Sequence, residues 1–177
     1  MPDTKIVFHK LPSPLGEIIA GATDNGVCFL EWCDRNGLDR IKQYAEKRCK
    51  SSLRPGNNMH LEVLERELAG YFAGTLRKFT VPLEVTGTVF EQKVWDQLLI
   101  IPYGETRSYG QLAAAIGSPG ASRAVGRANG ANHVAVIIPC HRVIDAGGNL
   151  HGYGGGLWRK QRLLELEGAR QPELRIR

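Results

Sequence analysis

A cysteine followed directly by histidine and arginine, in Pro139-Cys140-His141-Arg142-Val143, is the grouping in this chain best suited to covalent chemistry. The thiolate is the reactive form of cysteine, and a neighbouring imidazole or cation lowers the thiol pKa, so His141 and Arg142 single out Cys140 for activation. Adjacent residues in extended chain point to opposite sides, and Pro139 supplies the turn that a Cys140–His141 contact requires. Just upstream, Val134-Ala135-Val136-Ile137-Ile138 is apolar and β-branched, and reads as a buried strand that delivers the thiol to that turn. Taken alone, the Cys-His pair fits a structural cysteine as well as a nucleophile. Cys28, Cys33 and Cys49 form no CxxC pair and no repeated spacing. They read as small buried hydrophobes or incidental thiols, with neither a disulfide framework nor a zinc site indicated.

Charge and glycine distribution around this cysteine narrow the chemistry. The net charge is +5, and from Thr106 through Ile144 the chain has no Asp or Glu, while Arg107, Arg123, Arg127, His133, His141 and Arg142 fall in that window. Such a stretch suits a phosphate backbone, although a solvated surface that lacks carboxylates reads the same way. After the cysteine, Gly147-Gly148 and Gly152-Tyr153-Gly154-Gly155-Gly156 lack the Lys-Ser/Thr ending of a phosphate loop. Glycine at this density lets backbone approach a flat substrate closely.

The elements that must position these residues follow from periodicity. Lys5–Phe8, Gly16–Ala20 and Val27–Leu30 alternate as strands, with Asp24-Asn25-Gly26 as a hairpin turn. One helical face carries Leu38, Ile41 and Ala45; a second helix carries Leu61, Leu64, Leu68 and Phe72 and ends near Gly74. This first part is a small α/β domain with no evident chemistry. The chain is extended and Pro-marked around Lys78–Leu83, which sets the boundary: residues 1–82, then 83–170, then a tail, residues 171–177. Thr88-Val89-Phe90-Glu91 and Ser108-Tyr109-Gly110-Gln111 are capping boxes. The first opens a helix with Phe90, Val94, Trp95 and Leu98; the second opens a short helix closed by Gly117. Ser118-Pro119 starts the next helix, about Pro119 to Asn129, with Arg123 and Arg127 one turn apart. Two short helices joined this way outline a helix-turn-helix, with the arginines on its second member. Trp158–Glu167 forms a closing helix stopped by Gly168, with basic residues early.

A chain of 177 residues supports one ordinary domain or two small ones without disulfides. No apolar stretch approaches the ~20 residues of a membrane span, and the first residues lack a signal-peptide layout, so a cytoplasmic protein of prokaryotic type is expected.

Phe90–Trp95 with Leu98, Ile101-Pro102-Tyr103-Gly104-Glu105-Thr106, Ser108-Tyr109-Gly110, Arg123-Ala124-Val125-Gly126, Asn132, Ile138–Val143, and Leu163-Leu164 with Glu167 strongly resemble the O6-alkylguanine-DNA alkyltransferases. The first part is similar to that family's ribonuclease-H-like domain in outline only. The resemblance implies direct-reversal DNA repair: one irreversible transfer of an alkyl group from guanine O6 to Cys140, after base flipping, with no cofactor and no metal among the site residues; some relatives bind zinc in the N-terminal domain, and no full ligand set for it aligns here. It implies His141 as the group that takes the thiol proton through a water, Glu167 as its orienter, Asn132 as a brace, and Tyr109 as a donor to guanine N3. Arg123 would replace the flipped base. Ala121, Ser122, Arg127, Gly130 and Tyr109 would contact double-stranded DNA from the minor groove, and Asn129, Val143, Tyr153, Gly154 and Gly155 would form the pocket. A monomer is implied. His133 stands where relatives often carry Pro, which would loosen the entry to the active site, and Gly154 where some carry Ser. No separate metal-thiolate domain precedes this unit, so no transcriptional role of that kind is expected. Alternatives are a non-catalytic sensor of alkylated DNA, which Cys140 argues against; a helix-turn-helix regulator, which leaves the Cys-His-Glu set unexplained; and a cysteine hydrolase, which has no use for the helix pair.

Overall fold

The computed structural model describes residues 5–170; the expected tail, 171–177, lies outside the described residues. The N-terminal half is a four-stranded sheet of β1 (Lys5–Leu11), β2 (Ile18–Ala22), β3 (Val27–Trp32) and β4 (Ser52–Pro55), in the order β3-β2-β1-β4. β4 runs parallel to β1, and the other pairs are antiparallel. The β2–β3 hairpin turns at Asp24-Asn25-Gly26, closed by Thr23 N–H donating to the Gly26 carbonyl at 3.0 Å. β2 and β3 are buried along their whole length because both faces are covered. Ile19 and Phe29 join a small cluster with Ile6, Ile41 and Ala45, while Ile18, Ala20, Leu30 and Trp32 enter the main core.

Two helices pack on this sheet. In α1 (Gly37–Tyr44) the buried residues are Gly37, Ile41 and Tyr44, and Ala45 follows in a wider turn, whereas Leu38, expected on this face, is 40% exposed. The reason lies at the helix start: a Cβ on Gly37 would sit 2.4 Å from the Trp32 carbonyl oxygen, so Gly37 takes the inward position and Leu38 turns out. In α2 (Met59–Phe72), capped by Asn58, Leu61, Leu64 and Leu68 are buried, and Gly74 at φ +75° ends the helix.

The C-terminal half is mainly helical. It contains α3 (Val89–Leu99), β5 (Arg107–Ser108), α4 (Tyr109–Ala115), α5 (Ser122–Gly130), β6 (Val143–Ile144) and α6 (Leu157–Leu166). Both capping boxes form, Thr88 with Glu91 and Ser108 with Gln111. α5 begins later than Pro119: Ala121 N–H closes a turn on the Ser118 carbonyl at 3.0 Å, and Gly120 at φ +88° breaks the run that Pro119 would have opened. Trp95 Nε1–H donates to the Ala128 carbonyl at 2.9 Å and ties α3 to α5.

The outer edge of β3 joins the halves. Val27 N–H donates to the Pro82 carbonyl at 2.8 Å, Leu30 N–H to the His133 carbonyl at 2.7 Å, and Ala135 N–H to the Leu30 carbonyl at 2.9 Å. This covers an edge that would otherwise leave a row of backbone groups unpaired. The expected strand over 134–138 is instead a buried turn with a single bridge, Leu30 to Val134. Ile138 N–H returns to the Val134 carbonyl at 3.1 Å, and Val136 adopts φ +71°. Asn132 holds the turn. Its Oδ1 accepts from Val134 N–H at 2.9 Å and its Nδ2 donates to the Ile138 carbonyl at 2.9 Å, replacing strand partners. A β-branched residue in the left-handed region is unfavourable and persists because its surroundings impose it.

Urea unfolding tests this hierarchy. Thr88→Ala should lower stability by about 1 kcal/mol, the usual cost of a lost cap. Asn132→Ala leaves buried turn groups unpaired and should cost at least about 2 kcal/mol. Equal losses would mean that Asn132 is not the restraint on the turn.

Candidate active site

Cys140 begins a short 3-10 turn, Cys140–Arg142, entered through Pro139 at ψ 63°. Cys140 N–H donates to the Ile138 carbonyl at 2.8 Å and Arg142 N–H to the Pro139 carbonyl at 2.9 Å. The turn sends His141 and Arg142 inward to Glu167, the residue that caps the C-terminus of α6. His141 Nε2 lies 2.8 Å from Glu167 Oε1. Arg142 donates from Nε to Oε2 at 2.8 Å and from Nη2 to Oε1 at 3.0 Å, a two-point pair, and from Nη1 to the Ile101 carbonyl at 2.6 Å. Tyr71 of α2 donates its hydroxyl to Glu167 Oε1 at 2.6 Å.

Burial opposes a charge on Glu167, but hydrogen bonds from His141 and Arg142 and the charge of Arg142 outweigh it and hold the carboxyl at about 2. Burial keeps His141 below 6.5 despite the opposing pull of Glu167, so the imidazole is neutral at physiological pH. A neutral ring that donates from Nε2 to a carboxylate carries its lone pair on Nδ1. That Nδ1 is buried and has no hydrogen-bond partner in the protein.

The sequence expectation that His141 and Arg142 lower the thiol pKa does not hold in the resting site. Burial pushes Cys140 up to about 11, against smaller downward effects of a hydrogen bond from Asn132 and the charge of Lys160. Arg142 is spent on Glu167, and Cys140 rests as a thiol.

Cys140 lines a cavity of about 250 Å³. Asn129, Asn132, Tyr153, Gly154, Gly155 and Tyr109 share it, with Gly126 and Gly130 of α5. Val143 does not: it opens β6 against Arg107 and is fully buried in the core. The N-terminal half, which showed no chemistry by sequence, contributes Glu31, Trp32 and Arg40 to the same cavity. His133, expected to loosen this region, fastens it instead, with Nδ1 3.1 Å from Glu31 Oε1 and its ring 4.2 Å from that of Tyr44. Lys160 was also not singled out. It is fully buried, donates to the His151 carbonyl at 2.7 Å, and is pushed down to about 8 by burial, with Cys140 pulling the other way. Its spacing from Leu163 and Leu164 put it on the buried face of α6, which was the available signal.

α4 and α5 lie beside the cavity mouth. Arg123, Arg127 and Gly130 are exposed, and Ala121 and Ser122 half-buried. The Tyr109 ring packs beside Gly126 of α5, 3.8 Å from where a Cβ would sit, an ordinary packing distance. Burial raises the Tyr109 pKa, with the nearby Cys140 and Asp145 adding to it, and the hydroxyl donates to the His151 carbonyl at 3.3 Å. Asn129 Nδ2 donates to the Cys140 carbonyl at 3.3 Å and connects α5 directly to the thiol turn.

Residues 89–169 match the family described as 6-O-methylguanine DNA methyltransferase, DNA binding domain, and residues 6–85 match its ribonuclease-like domain. A methylated-DNA--protein-cysteine methyltransferase from Mycobacterium leprae is 46% identical over 159 residues, 90% of each chain. The chain belongs to the 6-O-methylguanine DNA methyltransferase family. A relative of the same description from Mycobacterium tuberculosis is 62% identical over 106 residues, 60% of this chain; the match spans 64% of that relative's length. The crystal structure of Mycobacterium tuberculosis OGT in complex with DNA superposes with a TM-score of 0.79 at 44% identity, covering 94% of this chain and 96% of that one. The α/β half with a helical DNA-binding half is thus the family fold. Among the described residues no helix is long and apolar enough to cross a membrane.

The Glu167 pair makes stability depend on pH. A carboxyl held below its unfolded value of 4.5 contributes stability above that pH and loses it as the pH falls toward about 2. His141, held below 6.5, works in the same direction. Glu167→Gln leaves Arg142 buried without a counter-charge and should lower unfolding free energy at pH 7 by about 3–5 kcal/mol. The gap to wild type should narrow at pH 3; a gap of constant size would contradict the assignment.

Proposed function

We propose that this protein repairs DNA by direct reversal, moving an alkyl group from guanine O6 to Cys140 in a single irreversible event. The observation that carries the reading is that Cys140 lines a cavity shared with Tyr109 of α4 and Gly126, Asn129 and Gly130 of α5, while the next residue, His141, pairs with Glu167. His141 Nδ1, through a water, takes the thiol proton, and Glu167 stabilises the imidazolium that forms. The sulfur lone pair then bonds to the alkyl carbon while the carbon–O6 bond breaks. Tyr109, kept protonated by burial, donates to N3 of the leaving guanine, and the base finally gains the proton that the thiol lost. The product is a thioether, a poor leaving group, and no residue of the site is disposed to remove it. One protein therefore repairs one lesion.

The substrate is double-stranded DNA with O6-alkylguanine, approached from the minor groove by α5. Arg123 fills the space of the flipped base, and Ala121, Ser122, Arg127 and Gly130 contact the backbone around it. The absence of carboxylates from Thr106 to Ile144 supports this face. Asn132 braces the thiol turn, and Asn129, Tyr153, Gly154 and Gly155 wall the base pocket. The protein acts as a cytoplasmic monomer without cofactor or metal, and divides near Pro82 into an α/β domain and an alkyltransferase domain. A damage sensor without chemistry would have no need of the thiol.

Intact mass after incubation with an O6-methylguanine duplex should show one methyl on the Cys140 peptide, absent in Cys140→Ala. Unmodified protein, or many product molecules released per protein, would overturn the reading. The transfer rate should be level from pH 8 to near 6.5 and fall in more acidic solution as His141 is protonated. A rate that instead climbed tenfold per pH unit up to about 11 would mean direct reaction of bulk thiolate. Arg123→Ala should slow transfer on duplex DNA by roughly tenfold or more while leaving the free base O6-benzylguanine reactive.

A further inference from the structure

We propose that Trp32, carried by the N-terminal sheet, sets the size of the alkyl group that the Cys140 pocket admits; this rests on the alkyl-transfer reading above. Trp32 is the last residue of β3 and lines the cavity that holds Cys140, although it is only 1% exposed. A Cβ on Gly155 would lie 2.5 Å from both Cδ1 and Nε1 of Trp32 and 2.8 Å from Cε1 of Tyr153. The indole edge, the Gly155 backbone and the Tyr153 ring are therefore stacked without spare room. Gly155 serves here because any side chain would push one aromatic wall away from the other.

The indole is also held from behind. The Arg159 guanidinium carbon lies 4.4 Å from the Trp32 ring and 4.5 Å from that of Trp158, so the cation is clasped between two indoles. Arg159 donates to both Asp34 carboxylate oxygens at 2.8 and 2.9 Å, to the Leu15 carbonyl at 2.8 Å and to the Gly155 carbonyl at 2.9 Å. One side chain from α6 thus fastens Trp32 from the sheet and Gly155 from the glycine-rich loop to each other. A wall so pinned cannot retreat for a bulkier group, because a close-packed interior yields little without losing contacts. Nε1 of Trp32 and the hydroxyl of Tyr153 are both buried and lie against each other, so the two aromatic walls of the cavity meet at their polar ends.

The test compares full-length protein with Trp32→Phe and Trp32→Leu on duplexes carrying O6-methylguanine or O6-benzylguanine. Rates of Cys140 alkylation are followed by intact mass and normalised to the fraction of protein that accepts methyl at completion. The readout is the benzyl-to-methyl rate ratio, which partial unfolding or weaker DNA binding leaves unchanged. The ratio should rise by about tenfold or more in Trp32→Leu and by less in Trp32→Phe, as expected when a hydrophobic pocket gains several carbons of space. If Trp32→Leu does not fold, the Phe variant decides by the same ratio. Ratios that match wild type in the folded variants overturn the proposal while Cys140 transfer stands. Failure of unaltered protein to alkylate Cys140 from either duplex removes the transfer reading itself, and this inference with it.

Discussion

The buried carboxylate of Glu167 is the interaction on which the arrangement of the site depends. Four groups converge on its two oxygens, from α2 through Tyr71, from the Gly104 backbone N–H, and from the thiol turn through His141 and Arg142, while Arg142 reaches on to the Ile101 carbonyl. A charge withdrawn from water is expensive unless its partners satisfy it, and here they satisfy it almost completely. The same contacts decide the tautomer of His141, leaving Nδ1 as the open acceptor. An ion pair of this sort is a weak source of net stability. It defines geometry, because His141 and Arg142 must both face the carboxylate for it to stay paired.

A consequence concerns how the cysteine is kept. The adjacent basic residues belong to Glu167, so the thiol rests protonated and buried, raised to about 11. In the proposed reaction this is useful: a protein that can react once is protected from being consumed by stray electrophiles while its thiol stays protonated. Lys160, buried nearby and pushed down to about 8 by burial, exerts a smaller opposing pull on the thiol.

The N-terminal sheet is part of the site as well as a support for it. β3 pairs its outer edge with residues 133–135 and so positions the turn that precedes Cys140. Its last residues, Glu31 and Trp32, enter the cavity, and His133 answers Glu31 from the other half. The Arg159 clasp repeats the connection from α6. Two segments more than a hundred residues apart in sequence thereby share one wall.

Much of this was legible locally. Capping boxes at Thr88 and Ser108, the hairpin at Asp24–Gly26, the stop at Gly74 and the family pattern around Cys140 are short-range features, written by residues that act on their immediate neighbours. The misreadings share a cause. The run Val134–Ile138 has strand composition, but Asn132 and the edge of β3 bend it into a turn with Val136 in the left-handed region. Leu38 fits a helical stripe, but the close approach of Gly37 to Trp32 rotates it outward. Adjacency of Cys140 to His141 and Arg142 suggested a lowered thiol pKa, and burial reversed the sign. The sequence by itself determined the family, most of the elements and the thiol proposed to react. Only the tertiary structure decided the protonation of that thiol and which remote residues, Glu31, Trp32 and Arg40, enclose it, because burial and long-range contact are properties of the packed chain and not of neighbours along it.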